Sequence, residues 1–326
     1  MKKKFLIFIG VVISATCLYW VFKGIALRDV GHAVAKANPA WLALALIIYA
    51  IGFIFRAIRW KILMAPIKPT SAPALLSPMV IGFFANNVLP FRMGELVRAQ
   101  VTGQKLGISR TTSLGTIVVE RICDTLMFLC IFLIVALFFP FPEAIRRGAY
   151  GLGGVCIGVI VALVIATKHQ HTAHSWVERV PISLSYRKKV QDLIFNFARG
   201  ISGMTEGSYL AQALALSVII WTIEGTNLYF ITRAFPVHIT YPQAFFVLFF
   251  IGLAVTLPQA PGYVGTVEAF GVLAFKLLGI PKELSIPVVL TIHGLGFCFI
   301  GLLGCCALWK EGLSIGKLLN RTDLST

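Results

Sequence analysis

Six stretches of this chain stay apolar for as long as a bilayer is thick, and that pattern leaves few folds open. A helix needs roughly 17–25 apolar residues to cross the hydrocarbon layer. Residues 5–22, 39–60, 113–139, 148–167, 210–232 and 284–309 meet that length. Two further apolar stretches, 74–89 and 244–257, are shorter, and each stops at Leu-Pro followed closely by glycine and glutamate. The composition agrees, with 58% hydrophobic and 13% charged residues. A soluble domain is nearer half apolar and a quarter charged, and could not bury this much apolar surface. The reading is an all-α polytopic membrane protein with six full spans and two broken or re-entrant helical hairpins, eight helical units or more, in one integral membrane domain over residues 1–326.

The formal net charge of +16 does not point to nucleic acid, because the basic residues flank the apolar runs instead of forming one face. Charge in that position sets topology and attracts anionic headgroups. With alternating spans, roughly 20 of the 29 Lys and Arg fall on the side of the N-terminus. This predicts both termini in the cytoplasm and a cytoplasmic (inner) membrane location. Lys2, Lys3 and Lys4 ahead of an apolar run resemble a signal peptide. No small-residue cleavage site follows, so an uncleaved anchor is expected.

The seven cysteines are odd in number, lack CxxC spacing and lie mostly in apolar runs, which reads as small buried hydrophobes. His169, His171 and His174 lack Cys or Asp companions, so no metal and no cofactor is expected. Walker, GxSxG and HExxH patterns are absent, which gives no support to ATP hydrolysis or the usual hydrolase chemistry. Residues 168–208 form a polar connector on the cytoplasmic side. In it Val190, Leu193, Ile194, Phe197, Ile201 and Met204 recur at helical spacing after Arg187, Lys188 and Lys189, as in an amphipathic helix on the inner leaflet or a plain connector.

The chemistry resides in polar groups within or beside the spans, where they are costly and pair with one another or line a wet cavity. In the run from Asn86 to Arg98, Pro90 removes a donor and Gly94 relaxes the backbone limits, so the helix breaks. A break leaves free N–H groups suited to an anion. Arg92 and Arg98 add guanidinium forks, and Glu95 can pair with Arg98 on one helix face. Glu120 and Asp124 share a face of the third span, with Arg121 beside them. A salt-bridge network and a headgroup or proton site are both open for this group. Pro258, Pro261, Gly262 and Gly265 interrupt another helix before Glu268. Glu224 and Asn227 are weaker candidates, and His293 reads as a solitary packing residue. Two broken helices of opposite orientation would form an inverted repeat around a transport site, with coincidence as the alternative.

Taken in order, Asn87-x-Leu89-Pro90-x-Arg92-x-Gly94-Glu95-x-x-Arg98, Glu120-Arg121-x-x-Asp124 and Pro261-Gly262-x-x-Gly265-x-x-Glu268 resemble the lysylphosphatidylglycerol synthase transmembrane-domain family of flippase-like proteins. The resemblance implies translocation of a phospholipid or lipid-linked headgroup without ATP hydrolysis by this chain. Asn87, Arg92, Arg98 and Arg121 would then hold phosphate. Glu95, Glu120, Asp124, Glu224 and Glu268 would pair or carry protons, and no residue is assigned a catalytic role. The expected partners are anionic phospholipid or lipid-linked phosphate and a lipid-modifying enzyme. Only a short tail follows Trp309, so the chain is expected to be a stand-alone member without the soluble aminoacyl-transfer domain. The alternatives are a polyprenyl-phosphate-dependent glycosyltransferase and a non-transporting partner of a lipid-modifying enzyme.

Overall fold

A computed structural model describes residues 2–89, 93–139, 143, 146–148, 150–151, 153–154, 157–158, 184–201, 207–256 and 260–313. Among them there is no strand. The helices are α1 (Lys2–Phe22), α2 (Leu27–Ala35), α3 (Pro39–Met64), α4 (Ala72–Val88), α5 (Gly94–Leu106), α6 (Arg110–Phe138), α7 (Leu184–Gly200), α8 (Gly207–Arg233), α9 (Tyr241–Thr256), α10 (Thr266–Leu277) and α11 (Lys282–Lys310). A 3-10 turn at Pro261–Tyr263 precedes α10.

Four helices, α3, α6, α8 and α11, are long and apolar enough to cross a membrane. At 26 to 29 residues and about 1.5 Å per residue they reach roughly 40 Å. They correspond to four of the six expected spans. The first expected span lies in α1, whose segment Val11–Phe22 bends by 80° into α2, and the two together qualify as a fifth crossing. The fourth, 148–167, falls largely outside the described residues. The two short stretches are helices of 17 and 16 residues, α4 and α9, about 25 Å long and so shorter than the roughly 30 Å hydrocarbon layer.

A repeat is visible in the helix lengths. The series α3–α6 runs 26, 17, 13 and 29 residues, and α8–α11 runs 27, 16, 12 and 29. In each series a long helix is followed by an interrupted pair and then by another long helix. The first pair is separated between Val88 and Gly94 and the second between Thr256 and Thr266.

The chain divides into two compact units. The first comprises Met1–Phe53, Val80–Gly94 and Ile220–Leu318, and the second Ile54–Met79, Glu95–Ile219 and Leu319–Thr326. In the first unit α10 packs on α1, α9 and α11. Phe246, Phe249, Phe250 and Phe275 are buried there. Leu302 and Trp309 on α11 remain exposed, as residues facing lipid do.

In the second unit α7 packs along α6, and two glycines permit it. A Cβ on Gly115 would come within 2.7 Å of the Gly200 Cα and 2.8 Å of the Phe197 carbonyl. One on Gly200 would collide with the Thr112 carbonyl. Small residues of this kind let helix backbones meet directly, as they do in membrane interiors. A helix, α7, covers residues 184–200 of the expected connector, with the Phe197 carbonyl and Gly200 set against α6. Leu193 and Phe195 remain exposed.

Candidate functional site

Five ionic residues of the second unit meet at one place: Arg59 from α3, Arg98 from α5, and Glu120, Arg121 and Asp124 from α6. Ser109 caps α6 by accepting from the Thr112 N–H at 3.0 Å, so the helix starts at Arg110. Glu120 then lies about 15 Å along it, with a side chain 0% exposed.

Arg98 donates twice to Glu120, Nη1 to Oε1 and Nη2 to Oε2, both at 2.8 Å. Arg121 Nη2 reaches Glu120 Oε1 at 2.5 Å and Asp124 Oδ2 at 3.0 Å. Arg59 Nη1 donates to Asp124 Oδ1 at 2.6 Å and to Ser217 Oγ of α8 at 2.7 Å, while its Nη2 lies 3.7 Å from Glu120. The Arg98 guanidinium stacks 3.6 Å from the centre of the Trp60 ring. The Trp60 indole N–H is in turn bound to Thr116 Oγ1 at 3.0 Å. Glu120 and Asp124 thus share a face, as their spacing predicts, and Arg59 spans both.

The group is not fully satisfied. The Nε atoms of Arg59, Arg98 and Arg121 are buried without hydrogen-bond partners. A buried guanidinium donor left empty is costly, and an incoming oxyanion would relieve it. Access is graded, since Arg121 keeps 32% and Asp124 18% of its side-chain exposure. Glu95 lies within electrostatic reach of Arg121.

Two expectations change here. Arg98 pairs with Glu120 of the next helix, because its fork matches both carboxylate oxygens, and not with Glu95 one turn back. Arg59 was counted among the flanking charges that set topology, yet α3 continues to Met64 and carries it to full burial. Its helical phase with the buried Gly52 and Leu63 of α3 places it on an inward face, which a charge count does not use. Arg92 and Pro90 lie outside the described residues.

A second constellation belongs to the first unit. Glu268, at the third position of α10, accepts through Oε2 from the Gly265 N–H at 2.6 Å. Its Oε1 lies 2.6 Å from His293 Nδ1 on α11. His293 Nε2 lies 2.7 Å from the Gly262 carbonyl. His293 is therefore not solitary but the partner of Glu268. Gly262 and Gly265 hold φ of 73° and 93°, and Tyr263 between them 63°, a left-handed region open to glycine and costly for tyrosine. Pro261 opens this turn and Pro258 lies outside the described residues. Asn87 borders it, its carbonyl 3.4 Å from where a Gly262 Cβ would sit, and its amide nitrogen is buried without a partner. Gly94 acts by smallness instead of dihedral freedom: it lacks a positive φ, its N–H donates to Asn86 Oδ1 at 2.8 Å, and a Cβ would strike the Gly82 carbonyl.

Glu224 lies elsewhere in the first unit, lining a cavity of about 130 Å³ with Tyr49, Asn227, Leu248, Ile292 and Gly296. The sequence candidates therefore gather into an arginine–carboxylate cluster, a Glu–His turn and a polar-edged cavity.

The repeat gives two of these a shared logic. In each series a residue early in the second short helix, Arg98 or Glu268, grips one about a third of the way along the next long helix, Glu120 or His293. The polarity is reversed between the two.

Comparison with known proteins agrees with this picture. Two UPF0104 membrane proteins of Methanothermobacter thermautotrophicus are similar, at 24% identity over 98% of both chains and 23% over 93% of this chain and 92% of the relative. Glycosyltransferase AglD of Haloferax volcanii is 24% identical over 81% of this chain but only 48% of its own length. The family model for the lysylphosphatidylglycerol synthase TM region matches residues 7–304. With that match over most of its length and several apolar helices long enough to cross a bilayer, the chain is a multi-pass membrane protein of the lysylphosphatidylglycerol synthase TM region family.

Proposed function

We propose that this protein translocates a phospholipid or lipid-linked phosphate headgroup across the cytoplasmic membrane without hydrolysing ATP itself. The observation that carries the reading is a set of three guanidinium groups, each with a buried and empty Nε donor, on helices two of which are bilayer-length. Glu120 and Asp124 already hold an Nη atom of each arginine, so the cluster persists without ligand, while an entering phosphate gains charge-assisted bonds. Arg121, partly exposed, is the point of entry. Arg92 and Asn87 are proposed as further headgroup-binding residues, and the Lys and Arg distribution supports a reading with both termini in the cytoplasm.

The test is reconstitution in phosphatidylglycerol-containing vesicles with a fluorescent phospholipid and a membrane-impermeant quencher. Quenching should pass beyond the outer-leaflet share, and Arg121→Gln should slow it at least tenfold. Exchange no faster than in empty vesicles for phospholipid and polyprenyl-phosphate probes alike would overturn the proposal.

The likeness to glycosyltransferase AglD favours a second reading, an enzyme acting on a lipid-linked phosphate sugar. It requires a glycosylated product from a lipid-phosphate donor, which translocation alone does not form. Co-purification with a lipid-modifying enzyme, with neither activity present, would instead favour a partner role.

A further inference from the structure

We propose that Glu268 and His293 form a two-proton latch that ties the turn at 260–265 to α11, and that loss of one proton frees the Gly262 carbonyl. The proposal is independent of lipid translocation, because it concerns only how this turn is held.

The Gly262 carbonyl can only accept, so His293 Nε2 at 2.7 Å must carry a proton. Glu268 Oε2 accepts from the Gly265 N–H. Glu268 Oε1 and His293 Nδ1, 2.6 Å apart, need one proton between them. Imidazolium with carboxylate supplies it, and so does neutral imidazole with carboxylic acid. Both states hold two protons and keep all three contacts.

With one proton fewer, no tautomer satisfies the geometry. Protonation at Nε2 alone sets a nitrogen lone pair against a carboxylate. Protonation at Nδ1 alone keeps the charge-assisted bond to Glu268 and sets the Nε2 lone pair against the Gly262 carbonyl. The second loss is the smaller, because hydrogen bonds to an ionised partner are roughly twice as strong. The tie to Gly262 therefore lets go first. Sign follows directly: the latch is intact with the imidazolium or acid proton in place and opens as pH rises.

The surroundings make the release consequential. The turn already holds Tyr263 in a sparsely populated conformation at φ 63°, which persists only while neighbouring contacts enforce it. Ser14 of α1 also restrains the turn, its Oγ accepting from the Ala260 N–H at a long 3.3 Å, and Thr266 Oγ1 donates to the Tyr263 carbonyl at 3.2 Å. Phe297 stands edge-on to the imidazole with centroids 6.4 Å apart, and the side chains of Glu268 and His293 are 5% and 15% exposed, so bulk water does not readily replace a lost bond. Of other titratable groups on the packed elements, Cys17 of α1 lies within electrostatic reach of Glu268. Tyr241 of α9 is bonded to Thr226. Lys282 of α11 donates to the carbonyls of Trp20 and Lys23. Lys276 lies at the far end of α10.

The experiment places a spin label at Val264, exposed in the turn, in full-length protein whose cysteines, Cys17 included, are replaced by alanine. Spectra in lipid nanodiscs are followed from about pH 6 to about pH 10, spanning ordinary histidine titration and beyond. The parent should lose its immobile component as pH rises. Glu268→Gln should keep it at alkaline pH, because the amide donates to Nδ1, accepts from Gly265 and does not titrate. His293→Phe should lack it throughout. A flat parent profile, or a Glu268→Gln profile that follows the parent's, would overturn the latch. Should a variant fail to fold, ¹⁵N-histidine spectra of the parent decide alone: the latch requires an Nε2 proton at neutral pH and its exchange onset to coincide with the mobility change.

Discussion

Replacing Glu120 by glutamine tests whether the arginine–carboxylate cluster is a unit. Glu120 is fully buried and meets Arg98 twice at 2.8 Å and Arg121 at 2.5 Å. The amide keeps the volume, loses the charge, and turns one oxygen into a donor that faces a guanidinium. Arg59 and Arg121 then keep Asp124, and Arg98 is left with no carboxylate. Removing one partner of a buried pair costs about 3–5 kcal/mol, chiefly because the stranded charge has no solvent. Asp124→Asn strands Arg59 less severely, since Asp124 is 18% exposed and water screens the defect, so about 1–2 kcal/mol is expected. Replacing Arg98 and Glu120 together by methionine removes both charges of the bidentate pair. It should be milder than Glu120→Gln, leaving the lost stacking on Trp60 and the lost Arg121 bond to Glu120, about 2–3 kcal/mol together. Equilibrium unfolding of purified protein in mixed micelles measures all three. Glu120→Gln within about 0.5 kcal/mol of the parent, or the double variant as damaging as the single one, would refute the cluster as described.

Three further outcomes are expected. Arg59→Lys cannot bridge Asp124 and Ser217 with one compact ammonium and should lower stability by about 2 kcal/mol in the same unfolding measurement. Gly200→Val forces α7 off α6 at the Thr112 carbonyl, so a disulfide engineered between these helices should form at least tenfold more slowly than in the glycine parent. In mild detergent a bilayer-permeant maleimide should label Cys130 and Cys305, which are exposed, and leave Cys123, which is buried, unreacted until the protein is unfolded; mass spectrometry reads the sites.

Much of the architecture was legible because bilayer length is a strong filter. The spans became α3, α6, α8 and α11, and the two short runs became α4 and α9 within a few residues of the expected limits. The grouping of Glu120, Arg121 and Asp124 also followed from helical spacing. What escaped were partners supplied from elsewhere in the chain. Arg59 reads as a topology charge because the carboxylate that holds it lies on another helix, and helical phase alone does not name that partner. His293 sits in an apolar helix with no acidic neighbour in sequence, so its bond to Glu268 became visible only once α10 and α11 were packed. Conversely, Glu95 and Arg98 had ideal local spacing, and the bidentate fit to Glu120 prevailed over it. Gly94 shows the same limit: its presence at a break was readable, while the close backbone approach that requires it was not.

The burial of Arg59 also sets a schedule for biogenesis. Its carboxylate and hydroxyl partners, Asp124 and Ser217, follow it by 65 and 158 residues. At about 5–20 residues per second, α3 leaves the ribosome roughly 3–13 s before Asp124 does. An unpartnered arginine at the centre of a nascent helix raises insertion energy by about 2.5–3.5 kcal/mol, but this one lies near the helix end and can snorkel. The expected outcome is that the helix inserts first in a shallow register and is drawn deeper when α6 arrives. Glycosylation mapping of chains truncated before and after α6 would register that displacement as a change in the minimal acceptor distance.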